Sequence, residues 1–276
     1  MTTKMINLIH QTELSTLKAF INICQQLEIP YIATGGTLLG AIRHQGFIPW
    51  DDDMDVALLR PDYEKLLKLA PNLLIDQPFF LQTPVSDPNY ALSYAKLLNQ
   101  NTYIEEKNNF NFARKGIFLD IFPLDIIPNS TAQLKKQIND IKIIDSRLFI
   151  KLRYNLIETP IRRFKTDLTT EQQESASILK KRRKLLFNEY NQQPIDDNTH
   201  FKNLASQYNY DQEIFTYQQV TDTIKVPFED TEITIPADYD AILTQLYGDY
   251  MKLPPENHRV AKHISKLIMD NQEFLA

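Results

Sequence analysis

Four aspartates fall within five positions of the segment Trp50-Asp51-Asp52-Asp53-Met54-Asp55-Val56. Carboxylates packed this closely repel one another, and the cluster is costly unless a cation holds it. Read as the entry to a strand, the segment sends alternate side chains to opposite faces. Asp53 and Asp55 then point the same way, Asp51 is a third candidate on that side, and Asp52 points elsewhere. An i, i+2 carboxylate pair suits one or two Mg2+ ions, with Mn2+ as a substitute, because these cations take oxygen ligands and substrate phosphates. An EF-hand is excluded, since the sixth and twelfth positions counted from Asp51 are Val56 and Asp62. A solvated acidic loop is the simpler alternative, and the apolar run Val56 to Leu59 argues against it.

A two-metal site or an activated acceptor needs a further acid from a distant segment. Phe118-Leu119-Asp120-Ile121-Phe122-Pro123-Leu124-Asp125 supplies Asp120, set among bulky apolar residues. Burying a lone carboxylate is expensive unless it is paired or bound to metal. Asp125, beyond Pro123, reads as a turn cap. The chain has six glycines, and Gly35, Gly36, Gly40 and Gly46 lie close together just ahead of the acids. Gly35-Gly36 falls between a strand and a helix, where free N–H groups at a helix start can face a phosphate. The pattern is neither G-x-G-x-x-G nor a P-loop, and a tight structural turn is the competing reading.

These residues need elements to position them. Apolar spacing predicts a helix over Ile6–Leu27, a short strand at Tyr31–Ala33, a helix over Thr37–His44, a strand at Met54–Leu59 and a helix from Pro61. Extended segments follow at Phe79–Gln82, Leu92–Leu98 and Ile117–Phe122. Helices are expected over Ala132–Leu152 and Glu171–Tyr190, and a hairpin around Glu229-Asp230. Further helices are expected over Ala237–Tyr247 and Val260–Asp270, the latter placing Arg259 and His263 near one helical face. The fold class is α+β: a mixed sheet with flanking helices, formed by residues 1–130 and 220–276, plus a mainly helical subdomain over 131–219.

Composition is that of an ordinary globular chain of 276 residues, 43% apolar and 24% charged. The single Cys24 excludes an internal disulfide and a cysteine-rich zinc site, and it reads as core. His10 to Glu13 interrupt the apolar residues near the N-terminus, which argues against a signal-peptide core or a membrane span and for a cytoplasmic chain. A net charge of −5 argues against nucleic acid as a partner. Residues 131–190 nevertheless hold 14 Lys and Arg against 7 Asp and Glu, densest at Lys180–Lys184. That run is read as a solvated helix face, with a peripheral contact of 147–184 on the inner face of the cell membrane left open.

The segment GTLLGAIRHQGFIPWDDDMDVAL resembles the signature of the LicD family, within the nucleotidyltransferase-fold superfamily. FLDIFPLD is similar to its second block and YGDYMKLPPENHRVAKH to its C-terminal block. The resemblance implies a nucleotidyltransferase-like core whose Gly-Gly turn, D-x-D strand and third acid map onto Gly35-Gly36, Asp53/Asp55 and Asp120. It implies transfer of a phospho-alcohol, phosphocholine foremost, from a CDP-alcohol donor to a glycan or lipid-linked glycan such as teichoic acid or lipopolysaccharide. Fukutin-type relatives use CDP-ribitol, so the donor alcohol is left open. Asp120 is left as metal ligand or base.

Thr37, Arg43, His44, Trp50, Lys96, Arg259 and His263 complete the expected substrate-binding set. Arg43 could fork onto a donor phosphate, Lys96 could neutralise the departing nucleotide, and Trp50 could stack on a base or close over a choline cation. The competing readings are a helix surface for Arg43 and His44, a salt bridge for Lys96, packing for Trp50 and capping for His263. Two other functions stay open: a nucleotidyltransferase releasing pyrophosphate, and a silent nucleotide- or glycan-binding relative.

Overall fold

The computed structural model describes residues 1–107, 111–154, 168–206 and 208–276. The chain opens with the long helix α1 (Thr3–Leu27) and the two-residue strand β1 (Ile32–Ala33). Next come α2 (Gly35–His44), β2 (Asp55–Leu59) and α3 (Arg60–Leu73). β3 (Phe79–Gln82), β4 (Ala95–Asn99), β5 (Thr102–Glu106) and β6 (Phe118–Ile127) follow. The helical stretch holds α4 (Thr131–Lys151) and α5 (Thr170–Phe187). It is followed by β7 (His200–Lys202), β8 (Ile214–Thr216) and α6 (Tyr217–Thr221). β9 (Thr223–Phe228), β10 (Thr231–Pro236), α7 (Tyr239–Tyr247), β11 (Ile264–Met269) and β12 (Gln272–Leu275) complete the chain.

Among the described residues, seven strands form one mixed sheet in the order β1-β2-β6-β4-β3, with β7 on β6 and β8 on β7. The expected α+β class with a mixed sheet and flanking helices is what the chain adopts. β2 runs parallel to β6, and β4 runs antiparallel to it. Alternation along these strands divides the sheet into two unlike faces. Val56, Leu58, Leu97, Leu119 and Ile121 face the main core, where Leu17 and Phe20 of α1 and Tyr63 and Leu66 of α3 cover them. The alternate residues carry Asp55, Asp120 and Lys96.

β6 runs further than expected. Pro123 does not end it, because the Asp120 N–H points toward β2, donating to the Met54 carbonyl. Position 123 therefore faces the other edge, in the gap between β4, which ends opposite Ile121, and β7, which begins opposite Asp125. A missing N–H costs no ladder bond there. Asp125 consequently caps no turn. It is fully buried and takes a two-pronged bond from Arg60, Nε to Oδ1 and Nη2 to Oδ2, both at 2.7 Å. The Asn191 side chain donates to the same carboxylate at 2.6 Å.

The helix expected over Val260–Asp270 does not form either. β11 and β12 pair through a two-residue turn in which Asp270 and Asn271 both take positive φ, and β11 also pairs with β5. The i, i+3 spacing of Ile264 and Leu267, both fully buried, imitates a helical stripe, and the bulge between Ile264 and Lys266 accommodates it within a strand.

The charged helix α5 spends much of its basic run on structure. Lys180 donates to the carbonyls of Pro84 and Pro88. Arg183 is buried and donates to the carbonyls of Ala91 and Leu92 and to Asp145, and Lys184 pairs with Glu64. Lys181 and Arg182 stay exposed. Residues 155–167 of the expected membrane-facing stretch lie outside the described residues. No helix among the described residues is long and apolar enough to cross a membrane.

Removing Asp125 leaves the buried Arg60, among the described residues, with only its 3.3 Å ion pair to the partly exposed Glu64. Asp125→Ala is expected to lower stability in urea unfolding by about 3–5 kcal/mol. A loss below about 1 kcal/mol would show that the pair, desolvated as it is, adds little to the net balance.

Candidate active site

The site is built on one row of the sheet. Asp55 lies directly opposite Asp120 across the parallel β2–β6 pair, and Asp120 lies opposite Lys96 across β6–β4. Side chains in register share a face, so the three adjoin. Lys96 Nζ stands 3.5 Å from Asp120 Oδ1 and 3.2 Å from Glu106 at the end of β5. Its charge is committed to holding these two acids. Asp120 Oδ1 is itself buried and has no hydrogen-bond partner.

The start of α2 is pressed against the acids. The Asp55 N–H donates to Thr37 Oγ1 at 2.8 Å, and the Asp55 carbonyl accepts from the Thr34 N–H. A Cβ on Gly35 would come within 2.7 Å of Asp55 Oδ2, and one on Gly36 within 2.6 Å of Asp51 Oδ2. Gly35 also holds φ at +55°, so glycine is required there on two grounds.

Asp52 points away from this group, and its role is visible. It is fully buried and accepts from three successive backbone N–H groups, those of Lys262, His263 and Ile264, the last at 2.7 Å. Such a run of N–H groups forms an anion-binding concavity. It fastens the start of β11 to the acidic loop and brings His263 Nε2 to 3.2 Å from Asp53 Oδ2.

Two residues of α1 reach the same place without having been singled out from the sequence. His10 Nε2 donates to the Asp51 carbonyl at 2.7 Å, while its ring stacks on Phe47 at 4.2 Å. Glu13 is buried, and its Oε2 has no hydrogen-bond partner. The available signal was a carboxylate on the buried stripe Ile9, Glu13, Leu17, Phe20 of an amphipathic helix.

Burial and mutual repulsion drive these acids toward the neutral form. Loss of hydration pushes the Asp120 carboxyl up to about 7, with Lys96 pulling it back and Asp53 adding to the rise. Asp51 is pushed up to about 7 by burial and by Asp53. Asp55 lies well above the usual carboxylate range through burial, Asp53 and Asp120. Burial also raises Asp53, against the pull of His263. Burial opposes the charge on His263, yet Asp53 and Asp52 outweigh it and raise its pKa. Glu13 is raised strongly by burial and then by Asp53. Among the described residues no three His, Cys, Asp or Glu side chains are grouped so as to hold a metal ion.

The remaining expected residues gather in a basic and aromatic corner. Arg43 donates from Nη1 to the Tyr250 carbonyl and from Nε to His44 Nε2. His44 meets the Trp50 ring edge-on, and the Arg259 guanidinium lies 5.5 Å from the centre of the same ring. Arg259 and His263 are not on one helical face, since the segment between the 3-10 turn Glu256–His258 and β11 is irregular. Arg259 therefore goes to Trp50 and His263 to Asp53. At the acids the free space is only about 10 Å3, lined by Gly36, Thr37, Asp51 and Asp53 among others. A cavity of about 780 Å3 opens elsewhere, between the end of α1 and the β9–β10 hairpin, and touches none of the acids. The chemistry of the smaller space, rather than the size of the larger, marks the site.

Residues 28–140 match the sequence model of the LicD/FKTN/FKRP, nucleotidyltransferase domain family. Over 264 residues the chain is 28% identical to the lipopolysaccharide cholinephosphotransferase LicD of Haemophilus influenzae (strain ATCC 51907 / DSM 11121 / KW20 / Rd), covering 92% of this chain and 94% of that protein. A 43-residue segment is 49% identical to an uncharacterized protein of Rickettsia prowazekii (strain Madrid E), 16% of each chain. Residues 28–140 contain the glycine turn, the aspartate cluster, Lys96 and Asp120. Residues 28–140 are a LicD-family nucleotidyltransferase domain.

Proposed function

We propose that this chain transfers a phosphocholine group from CDP-choline to a sugar hydroxyl of a cell-surface glycan, lipopolysaccharide or teichoic acid, with Asp53, Asp55 and Asp120 holding Mg2+ or Mn2+. The observation that carries the reading is the register of β2 against β6, which sets Asp55 opposite Asp120 beside the glycine-lined start of α2. The likeness of nearly the whole chain to a lipopolysaccharide cholinephosphotransferase supports the transferred group and the class of acceptor.

Support for a divalent cation comes from the chemistry of the oxygens. Several carboxylates are buried at one spot, raised by that burial and then by one another, and Asp120 Oδ1 has no hydrogen bond beside its 3.5 Å ion pair with Lys96. A bound cation would stabilise charge on the donor pyrophosphate and on the departing CMP. The remaining work belongs to the protein. Lys96 holds Asp120 in place and favours its ionised form, so that this carboxylate can bind the cation or accept the proton of the attacking sugar hydroxyl. His263 partly offsets the charge of Asp53. Arg43 and Arg259 supply a positive corner, beside Trp50, for the nucleotide phosphates. In the reaction the sugar oxygen bonds to the phosphorus that carries choline, the bond from that phosphorus to CMP breaks, and CMP leaves.

A screen of CDP-choline, CDP-ribitol, CDP-glycerol and CDP-ethanolamine is expected to give metal-dependent CMP release, greatest with CDP-choline. Pyrophosphate release from a nucleoside triphosphate, with no CMP from any CDP-alcohol, would overturn the assignment in favour of nucleotidyl transfer. Asp53→Asn is expected to lower kcat by roughly a hundredfold or more without unfolding the chain.

Asp55 gives a prediction independent of turnover. Its pKa is raised on folding, so the metal-free protein loses stability as pH rises from the ordinary carboxylate range toward the raised value. Asp55→Asn removes that penalty. In chelator at pH 8 the variant should resist urea better than the parent, with the difference vanishing near pH 4. Equal stability at both pH values would count against the electrostatic account.

A further inference from the structure

Phe122 follows Asp120 by two positions on β6, so both side chains leave the sheet on the same face. Opposite Phe122 on β2 stands the small Ala57. Tyr94 precedes Lys96 by two, and its ring centre lies 4.3 Å from that of Phe122, tilted by 44°. Both rings are half-buried. The row next to Asp55, Asp120 and Lys96 is thus apolar and aromatic, and partly open.

The surroundings are negative and short of hydrogen-bond partners. After burial itself, Asp120 is the strongest charged influence on the hydroxyls of Tyr90 and Tyr94, and Glu106 also bears on both. The Tyr90 hydroxyl is fully buried and has no partner among the described residues. The Trp50 ring, by contrast, already has the Arg259 guanidinium near it.

We propose that Tyr94 and Phe122 form the seat for the quaternary ammonium head of the donor alcohol, so that this aromatic pair rather than Trp50 selects choline. The proposal rests on the phosphocholine reading above. A trimethylammonium group donates no hydrogen bond and is drawn to aromatic faces and to nearby negative charge. A polyol head such as ribitol or glycerol needs several hydrogen-bond partners, which Phe122 and Ala57 do not offer. The seat lies one row from Asp55 and Asp120.

The test is calorimetric binding to the full chain with Mg2+ and without acceptor. The probes are CDP, CDP-choline and the neutral isostere in which a tert-butyl carbon replaces the quaternary nitrogen. The unmodified protein is expected to bind CDP-choline roughly tenfold more tightly than the isostere. Tyr94→Leu and Phe122→Leu should erase that preference while affinity for CDP persists, and Tyr94→Phe, which keeps the ring, should restore it. Equal binding of charged and neutral donors by the unmodified protein would overturn the proposal whatever the variants do. So would leucine variants that lose CDP and CDP-choline affinity in proportion. CMP release from CDP-choline with no charge preference would overturn the seat alone, whereas charge preference with no CMP release would overturn the transfer reading and leave the seat standing.

Discussion

Carboxylates buried together in a medium of low dielectric repel one another, and the elements around Asp55 are arranged to bear that repulsion. Lys96 stands between Asp120 and Glu106, His263 stands beside Asp53, and backbone N–H groups surround Asp52. Lys96 comes from β4, whereas His263 and the N–H groups on Asp52 come from the segment that enters β11. The compensation is incomplete, since Asp55 and Glu13 remain well above the usual carboxylate range. A site left short of positive charge at one spot is suited to a cation brought by a ligand or bound from solution.

The same constraint explains the sharing of roles among neighbouring aspartates. Asp55 stands opposite Asp120 and Asp53 beside His263, whereas Asp52 turns inward and serves architecture by fixing β11. The glycines ahead of them serve the close approach of α2, because any Cβ at Gly35 or Gly36 would strike a carboxylate oxygen. Gly46 has a parallel task. Its Cβ would strike Glu229 of the β9–β10 turn, and that carboxylate accepts from the Phe47 N–H at 3.0 Å. The hairpin thereby steadies the loop that leads into Trp50 and the acids.

Much of this was legible in the sequence because local patterns carried it. The alternation that separates Asp52 from Asp53 and Asp55, the apolar setting of Asp120 and the periodicity of α1, α4 and α5 are short-range signals. The failures came where tertiary partners decide. Pro123 sits inside a strand because its missing donor faces a gap between two partners, which no single segment reveals. β11 looked helical because its buried residues are three apart and a bulge reconciles that spacing with a strand. Asp125 looked like a cap until Arg60 supplied its counter-charge. Glu13 was hidden in an otherwise ordinary helical stripe, and the basic run of α5 disclosed nothing of the carbonyls that Lys180 and Arg183 serve.

The bond from the Ile264 N–H to Asp52 joins positions 212 residues apart. Closing so long a loop costs entropy before any contact repays it, so contacts of this kind slow the search for the native state. Until β11 docks against β5, the Asp52 carboxylate has no reason to leave water and His263 is not delivered to Asp53. One long-range contact thus fixes both the acidic loop and the approach of His263 to Asp53.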